Sequence, residues 1–526
     1  MNRPYRSAAL AVLCMFATLT ATRAGAQVPD GVPAGPLTLE QALALAEVRS
    51  ESIGISREGL QRAEGERVRA RSGLFPQLSA SATYDRALAS EFSGLFNNQT
   101  FGNGTDTSGF ENLPFGRANT WRISLALSQN VYTGGRQQAQ EAVAQAGRES
   151  AAQGVSTARA QLLFDATQAY YDLALSDRLV RIAEATRDQA GATLRQTQAG
   201  FDAGTQPEFE VIRARVTRDS QTPVVIRQRA NREVALLRLK QLLDVPQDFD
   251  LQLADGLEDE RLPPPAVFAA QVLPLEQSVP LDDPAVVSAA ARTGIPVPDR
   301  TVVSEATATV RLREASLKLT EAQKNPSVAV NSTYSRLGYP SNLFPTFDRS
   351  NWSVGASVNL PVLTGGRQRG DEQVARAELE QARLQLRQTQ ELAALDSRSA
   401  WAELLAARAT WEATAGTIQQ ATRAYEIADV RYRAGVSTQL ELSDARLLLQ
   451  QAEANRAQAA RDLQVARARM ALLPDLPIGA TIPRVPQPQA PQTVPTPSRP
   501  QTAGQTITNA AQTGGFQGGG FQVGNR

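Results

Sequence analysis

The sequence predicts a mixed membrane α+β fold in which two copies of one unit each join two short strands to a long helical hairpin. Three observations support this prediction. Sequence elements recur at fixed distances, four segments of about nine or ten residues alternate between apolar and polar side chains, and two proline-free stretches of about 65 residues follow the strands. Alternation with period two is typical of strands, and long stretches rich in Ala, Gln and Arg favour extended helices over compact cores.

The composition excludes several classes of function. The 526 residues contain no histidine and one cysteine, Cys14, which excludes His-dependent catalytic triads, intrachain disulfides and Cys-x-x-Cys redox motifs. A net charge of +1 provides no basic field for nucleic acid. The sequence also has no Gly-Lys-Ser/Thr phosphate loop and no recognisable catalytic carboxylate pair. We therefore expect no enzyme activity, no cofactor and no metal site.

Residues 1–26 are typical of a secretory signal peptide. Arg3 and Arg6 precede a short apolar run at 8–19, and small residues at 24–26 form a cleavage site. The run is shorter than the roughly 20 residues that span a bilayer as a helix. We therefore expect an exported protein whose mature chain begins near Gln27 and contains no cysteine.

A duplication organises the rest of the chain. Trp121 and Trp352 are related by an offset of 231 in the numbering, and the Thr-Gly-Gly-Arg segments at 133–136 and 364–367 have the same offset. Tyr84 and Tyr334 are related by an offset of 250, so the first copy has a longer loop between its tyrosine and tryptophan. This division gives a first copy, a proline-rich connector with a little structure around residues 285–292, a second copy and a disordered tail, at residues 27–244, 245–300, 301–473 and 474–526.

Each copy is expected to open with a helix. In the first copy the helix begins at Leu37, with Thr38 as N-cap and Gln41 completing a capping box. In the second copy it spans residues 301–324. Pro76 and Pro326 end these helices, because proline lacks the backbone N–H and restricts the residue before it.

Two strands follow in each copy. Their length matches that of membrane-spanning strands, and each has an aromatic residue near the same end, at Tyr84, Trp121, Tyr334 and Trp352. A soluble sheet with one solvated face has the same alternation. The strands alone therefore leave both interpretations open.

Long helices are predicted at residues 137–200 and 368–433, and return helices at 207–243 and 437–473. The strand–helix junctions contain paired glycines, Gly134, Gly135, Gly365 and Gly366. The chain reverses at two helical tips, Ala203, Gly204, Ala434 and Gly435. The apolar faces of these helices are narrow and Ala-rich, which allows close helix approach. An ordinary soluble coiled coil would show the same faces.

Four strands are too few to close a membrane barrel, and an open sheet in lipid leaves backbone groups unsatisfied at its edges. One chain must therefore share a barrel with copies of itself. A dimer would supply eight strands and a trimer twelve. Small polar side chains on the inward face favour the hollow twelve-stranded barrel, because an eight-stranded barrel is filled by its own side chains. The long helices would continue from this barrel.

The chain resembles the TolC-type outer-membrane efflux proteins over nearly all of its mature length. The resemblance rests on the segments at residues 37–43, 74–78 and 432–445 and on the paired Thr-Gly-Gly-Arg segments. It implies a homotrimer with a twelve-stranded barrel in the outer membrane and an α-helical barrel crossing the periplasm. It implies the passive exit duct of a tripartite efflux pump or of a type I protein secretion system. The implied partners are a periplasmic adaptor protein and an inner-membrane transporter of the RND, MFS or ABC type.

The resemblance also implies functional residues at the helical tips. Acidic residues after the second tip narrow the periplasmic entrance in this family, and Glu441 and Asp444 match them, three residues apart on one helix face. In the first copy Glu210 matches Glu441, but Arg213 replaces the second acid. In this family a basic residue often follows the second tip and holds it through a salt bridge, but this chain has Ser437 and Thr438 there. The resemblance also implies that the two tip turns bind the adaptor. The alternative is that both acids are simply solvated.

A periplasmic coiled-coil adaptor or scaffold is the main alternative from a different class, because it would share the helices. The Thr-Gly-Gly-Arg junctions and the amphipathic strands in both copies favour the channel.

Overall fold

The computed structural model describes residues 35–89, 119–254, 256–257, 261–279, 289, 300–340, 344–345, 347 and 349–479. The predicted signal peptide lies outside these ranges, as do most of the segment at 285–292, where the sequence predicted a little structure, and all of the predicted tail beyond residue 479. The helices and strands, in chain order, are α1 (Leu39–Arg49), α2 (Glu51–Ser72), β1 (Gln77–Arg86), β2 (Asn119–Tyr132), α3 (Arg136–Asp202), α4 (Glu208–Leu242), α5 (Ala266–Gln277), α6 (Thr301–Ala322), β3 (Ser327–Gly338), β4 (Arg349–Asn359), α7 (Arg367–Arg433) and α8 (Gln439–Leu472). In these ranges no helix has both the length and the apolar character needed to cross a membrane.

The opening helix of the first copy is two helices, so the prediction of one was wrong. The capping box at its start is confirmed, with Thr38 accepting from the Gln41 N–H and the Gln41 side chain accepting from the Thr38 N–H. The break is at Ser50, whose ψ of 122° takes the backbone out of the helix. Buried side chains hold α1 in the core, whereas α2 is largely exposed and packs along α3. Both helices contact α3, but only α1 buries an apolar face in the core.

The four strands form one antiparallel sheet in the order β1-β2-β3-β4. Tyr84 pairs with Trp121, and Tyr334 pairs with Trp352, so the aromatic residues of each hairpin lie side by side. The strands have 10, 14, 12 and 11 residues, slightly longer than the sequence predicts for the inner two. The four-stranded sheet is therefore as predicted.

The two long helices, α3 and α7, each have 67 residues, and their predicted bounds are confirmed to within two residues. At a rise of 1.5 Å per residue each is about 100 Å long. The bounds of α7 are those of α3 shifted by the offset of 231, and the bounds of α6 are those of α2 shifted by the offset of 250. The helix α3 packs along α2, α4, α6 and α8, and α7 packs along α6 and α8. The duplication seen in the sequence is therefore present in these helices.

The large apolar side chains are concentrated near the middle of the long helices. Tyr170 on α3, Trp401 on α7 and Leu463 on α8 are almost fully buried, together with Phe268 on α5 and the apolar face of α1. Tyr170 also donates a 3.0 Å hydrogen bond to the Leu37 carbonyl. The helix α5 lies in the proline-rich connector, where the sequence predicted no helix at these residues. Burial of Phe268 and Val272 against this core stabilises it there.

Buried ion pairs join the end of α8 to this layer. Asp396 accepts from the guanidinium groups of Arg300 and Arg469 at 2.9–3.0 Å, and all three side chains are buried. Arg467 forms a bidentate pair with Glu276 of α5 at 2.6 and 3.0 Å. Each charge has partners close enough to offset the cost of removing it from water.

Candidate functional site

The two helical tips have the same backbone geometry. Gly204 and Gly435 have φ of +75° and +72°, a left-handed conformation that costs glycine little. A Cβ built on either glycine has no described atom within 4 Å, so the backbone angle rather than close packing requires glycine there. Next to them, Ala203 and Ala434 are the C-cap residues of α3 and α7. The four tip residues proposed from the sequence therefore form two matching, exposed turns.

The two tips differ in charge. Glu441 and Asp444 lie in the first turns of α8, both are exposed, and neither forms an ion pair within the part of the chain that the structure describes. On the first tip Glu210 lies 3.7 Å from Arg213, which neutralises it. The N-cap Thr438, in the segment where the sequence lacks a basic residue, accepts from the Glu441 N–H at 3.4 Å. The second tip therefore presents two carboxylates without ion pairs, whereas the first presents the Glu210–Arg213 pair and the exposed carboxylate of Glu208.

A hydrogen bond that the sequence analysis missed joins the two hairpins near the tips. The hydroxyls of Tyr432 on α7 and Thr197 on α3 are 2.8 Å apart and buried. One turn away, Arg446 on α8 donates to the Thr193 hydroxyl at 2.9 Å, and its guanidinium lies 6.0 Å from the Tyr425 ring. The sequence feature that could have indicated this contact is the spacing of Thr193 and Thr197, because residues four apart place both hydroxyls on one face of α3.

A second link between the hairpins is the buried side chain of Gln439 at the start of α8. With its amide oriented so that the nitrogen faces α4, it donates to the carboxylate of Glu210 at 2.8 Å and to the Glu210 carbonyl at 3.2 Å. Its oxygen then accepts from the Ala214 N–H at 3.2 Å. Polar side chains thus tie α8 to both helices of the first hairpin, α3 and α4.

The strand–helix junctions use glycine in left-handed conformations. Gly134 and Gly135 have φ of +64° and +90°, and Gly365 and Gly366 have +59° and +90°. Gly134 is also tightly packed, because a Cβ built on it would collide with the Asn325 Cβ. The Asn325 amide donates to the Gly134 carbonyl at 2.7 Å. The left-handed glycines therefore form the turn between the last strand of each hairpin and the long helix that follows it.

The four aromatic residues proposed from the sequence lie in the loop-side half of their strands, whereas Tyr132 lies at the opposite end of β2. The rings of Tyr84 and Trp121 are 4.8 Å apart, and the Tyr84 hydroxyl donates to the Asn119 side chain at 2.9 Å. Trp352 donates from its indole nitrogen to the Ser332 hydroxyl at 3.0 Å and is 74% exposed. Apolar side chains along the strands, including Leu78, Val354 and Val358, are exposed as well.

Two carboxyl groups of the helical region have raised pKa values because of burial. Burial raises the pKa of Glu305 on α6 and that of Glu453 on α8, and the charge of Arg178 partly opposes the shift at Glu453. The described residues contain no cluster of three acidic, cysteine or histidine side chains that would hold a metal.

Comparison with known proteins identifies similar sequences and folds. The family model described as outer membrane efflux protein matches residues 42–244 and 300–473. The outer membrane efflux protein BepC of Brucella suis biovar 1 (strain 1330) is 24% identical over 348 residues, covering 66% of this chain and 70% of BepC.

Solved structures with this fold include outer membrane channels. The CmeC outer membrane channel of Campylobacter jejuni matches with a TM-score of 0.65 and 16% identity, over 84% of this chain and 86% of CmeC. The open state of the MtrE outer membrane channel of Neisseria gonorrhoeae matches with a TM-score of 0.63 and 17% identity, over 83% of this chain and 89% of MtrE. The combination of long helical hairpins and a four-stranded sheet is common to this chain and these channels.

Proposed function

Because the chain belongs to the outer membrane efflux protein family, we propose that it forms the passive exit duct of a tripartite efflux pump, which exports small molecules across the outer membrane. The family consists of channels rather than enzymes, so the energy for export comes from a partner. The observation that carries the proposal is the continuity of an exposed amphipathic sheet with two helices of about 100 Å through paired left-handed glycines. A membrane pore and a long periplasmic tunnel need these two parts.

The assembly that fits this role is a homotrimer with a twelve-stranded barrel. Two features support it: among the described strands β1 and β4 are paired on one side only, and the apolar side chains of the sheet are exposed. Both features leave surface that a lone chain cannot satisfy in lipid. Tyr84, Trp121, Tyr334 and Trp352 would then lie at one membrane interface. The mature protein would be located in the outer membrane and extend into the periplasm.

The helical tips are the proposed docking site for a periplasmic adaptor protein, with an inner-membrane transporter of the RND, MFS or ABC type behind it. The turns at Gly204 and Gly435 support this role because they are exposed, and a Cβ built on either glycine has no described atom within 4 Å. Replacing both glycines by valine should abolish export while the trimer still reaches the outer membrane. Normal export by that double variant would remove the docking assignment. Exit of a secreted protein through the same duct, in a type I system, is the related alternative.

Glu441 and Asp444 are the proposed acidic ring at the periplasmic entrance. Their exposure and lack of ion pairs among the described residues support this role, because carboxylates without partners remain available to passing ions. Threefold repetition would bring six carboxylates around one axis. Such a ring attracts cations and repels anions.

The experiment that tests the overall proposal is single-particle electron microscopy of the mature protein extracted from membranes in detergent. We expect a hollow threefold particle about 130 Å long, from about 100 Å of helix and about 30 Å of strand. A monomer that is released without detergent, or a thin solid rod, would contradict the channel and favour a periplasmic adaptor or scaffold.

A further inference from the structure

The helix ends that adjoin the sheet carry an excess of basic residues. Four segments of eight residues flank the sheet and match pairwise under the offsets of 250 and 231, at 69–76, 319–326, 133–140 and 364–371. Their basic residues are Arg69, Arg71, Arg136, Lys324, Arg367 and Arg369, and their acidic residues are Glu321 and Asp371. The whole chain is nearly balanced, with 54 basic and 53 acidic residues. Every copy in an assembly brings the same excess, so packing between copies does not remove it.

Most of these basic side chains have no acidic partner. Two of the six pair with acids of α7. The other four form no ion pair within the part of the chain that the structure describes, namely Arg69, Arg71, Arg136 and Arg369. Arg136 is half-buried and the other three are exposed. These four guanidinium groups, which we call the junction arginines, are therefore available to an anion from outside the chain.

Helix stability explains only part of this pattern. The helix dipole favours basic residues near a C-terminus, which accounts for Arg69 and Arg71 in the last turn of α2. An N-terminus favours acidic residues instead. The first turns of α3 and α7 nevertheless contain no acidic residue, and these helices begin with Arg136 and Arg367. Positive charge thus lies where the helices themselves disfavour it, so its position requires another reason.

The apolar face of the sheet reaches the same junctions. Tyr132, at the end of β2, pairs with Val328 and lies on the face of Leu125 and Leu127, because their partners on β3 are separated by even numbers of residues. Tyr132 is 51% exposed although β2 has a strand on each side, so a missing strand does not explain the exposure. Tyrosine, with an apolar ring and a polar hydroxyl, is typical of the boundary between lipid and water.

We propose that the junction arginines bind the headgroups of anionic phospholipids in the leaflet that faces the periplasm. The lipid phosphates would contact the guanidinium groups, and the acyl chains would lie along the apolar face of the sheet beyond Tyr132. Arginine suits this role because its planar guanidinium can donate two parallel hydrogen bonds to one phosphate. The inference rests on the proposed location in the outer membrane and adds a class of ligand to it.

An acidic protein surface is the main alternative occupant. It would match the charge of the junction arginines but not the exposed apolar row that ends beside them at Tyr132. A phospholipid matches both, because its negative phosphate and its acyl chains lie next to each other in the same order. The combination of the two surfaces therefore favours lipid.

Removal of charge from the whole mature protein tests the site. The junction variant carries Arg69→Gln, Arg71→Gln, Arg136→Gln and Arg369→Gln. The matched control carries four substitutions at exposed arginines that form no ion pair among the described residues, Arg57→Gln, Arg215→Gln, Arg227→Gln and Arg238→Gln. Both variants lose the same charge, but the control positions lie away from the helix ends that adjoin the sheet. Each protein is reconstituted in phosphatidylcholine bilayers that contain spin-labelled phosphatidylglycerol or spin-labelled phosphatidylcholine. Electron paramagnetic resonance then measures the fraction of each probe that the protein immobilises.

We expect the wild type and the control to associate with phosphatidylglycerol up to about fivefold more strongly than with phosphatidylcholine, the factor that one charge contact at a membrane surface contributes. Salt at about 1 M should reduce this preference, because it shortens the range of charge interactions to about 3 Å. The junction variant should lose most of the preference.

An equal preference in the junction variant and the control would overturn the site, whether both keep it or both lose it. Absence of the preference in the wild type would also overturn it and favour an acidic protein partner. Electron microscopy of the same preparations separates this failure from that of the proposed function. A threefold particle without the preference refutes the lipid site alone, whereas a monomer that needs no detergent refutes the outer-membrane location.

Discussion

The buried hydrogen bond between Tyr432 and Thr197 is expected to hold the two hairpins of a chain together near the tips. In the proposed channel, any widening of the entrance that moves the two hairpins apart would break this bond. Tyr432→Phe removes the hydroxyl and keeps the ring, so the packing of α7 stays intact. The Thr197 hydroxyl keeps its bond to the Thr193 carbonyl at 2.9 Å and is not left without a partner.

The size of the effect follows from the value of one buried neutral hydrogen bond, about 1 kcal/mol. A loss of that size shifts an open-to-closed equilibrium about fivefold for one chain. If the three chains of a trimer open together, the losses add to about 3 kcal/mol and the shift approaches about 150-fold. Thr197→Val should shift the equilibrium at least as far, because it leaves the buried Tyr432 hydroxyl without this partner. The double variant should add little to either single one, because both remove the same bond.

Single-channel recording in planar bilayers measures this equilibrium as the fraction of time in the high-conductance state. Tyr425→Phe is the matched control, because the Tyr425 hydroxyl has no hydrogen bond among the residues that the structure describes. An open fraction unchanged from the wild type in both single variants, with the trimer intact, would refute the role of this bond. Fully additive effects in the double variant would show that the two hydroxyls act separately.

Three further predictions concern charges. Asp396→Ala should destabilise the fold by about 3–5 kcal/mol, because it leaves two buried arginines without this carboxylate. Glu426→Ala, at an exposed ion pair, is the control and should lower the thermal midpoint far less. Equal thermal midpoints of the two variants would refute the prediction. Because burial raises the pKa of Glu453, its ionisation destabilises the fold near neutral pH. Glu453→Gln should therefore raise the midpoint at pH 7, and the gain should shrink as the pH falls through the range in which Glu453 takes up its proton; a gain that persists in acid would contradict this origin. Glu441→Gln with Asp444→Asn should lower cation preference in bilayer recordings, and unchanged selectivity would refute the acidic ring.

The elements with strong local patterns were predictable from the sequence. The long helices lack proline and end at glycines that the backbone requires, so their bounds were predicted to within two residues. The strands form a single sheet and alternate between apolar and polar side chains, which made them recognisable in the sequence. The sequence offsets then indicated corresponding elements, and the bounds of α2 and α6 have the same offset as the tyrosines of the two copies.

The elements decided by tertiary contacts were not predictable in this way. The break at Ser50 separates α1, whose apolar face is buried in the core, from the largely exposed α2, and no proline or glycine marks it. The helix α5 forms in a connector with three consecutive prolines, because Phe268 and Val272 find a buried surface on the long helices. The buried pairs around Asp396 join residues far apart in sequence, so no local spacing indicated them.

The two tips have one backbone design and different chemistry. On the first tip the carboxylate of Glu210 is occupied by Arg213 and by the buried amide of Gln439, so it serves to attach α8 to α4. On the second tip Glu441 and Asp444 remain exposed. The first tip also carries Glu208, which is exposed and forms no ion pair among the residues that the structure describes, so in the proposed trimer both tips offer carboxylates to a cation. Because Glu210 is committed to packing, its loss should weaken the join between the hairpins, whereas loss of the second-tip acids should change the field at the entrance and leave that join intact.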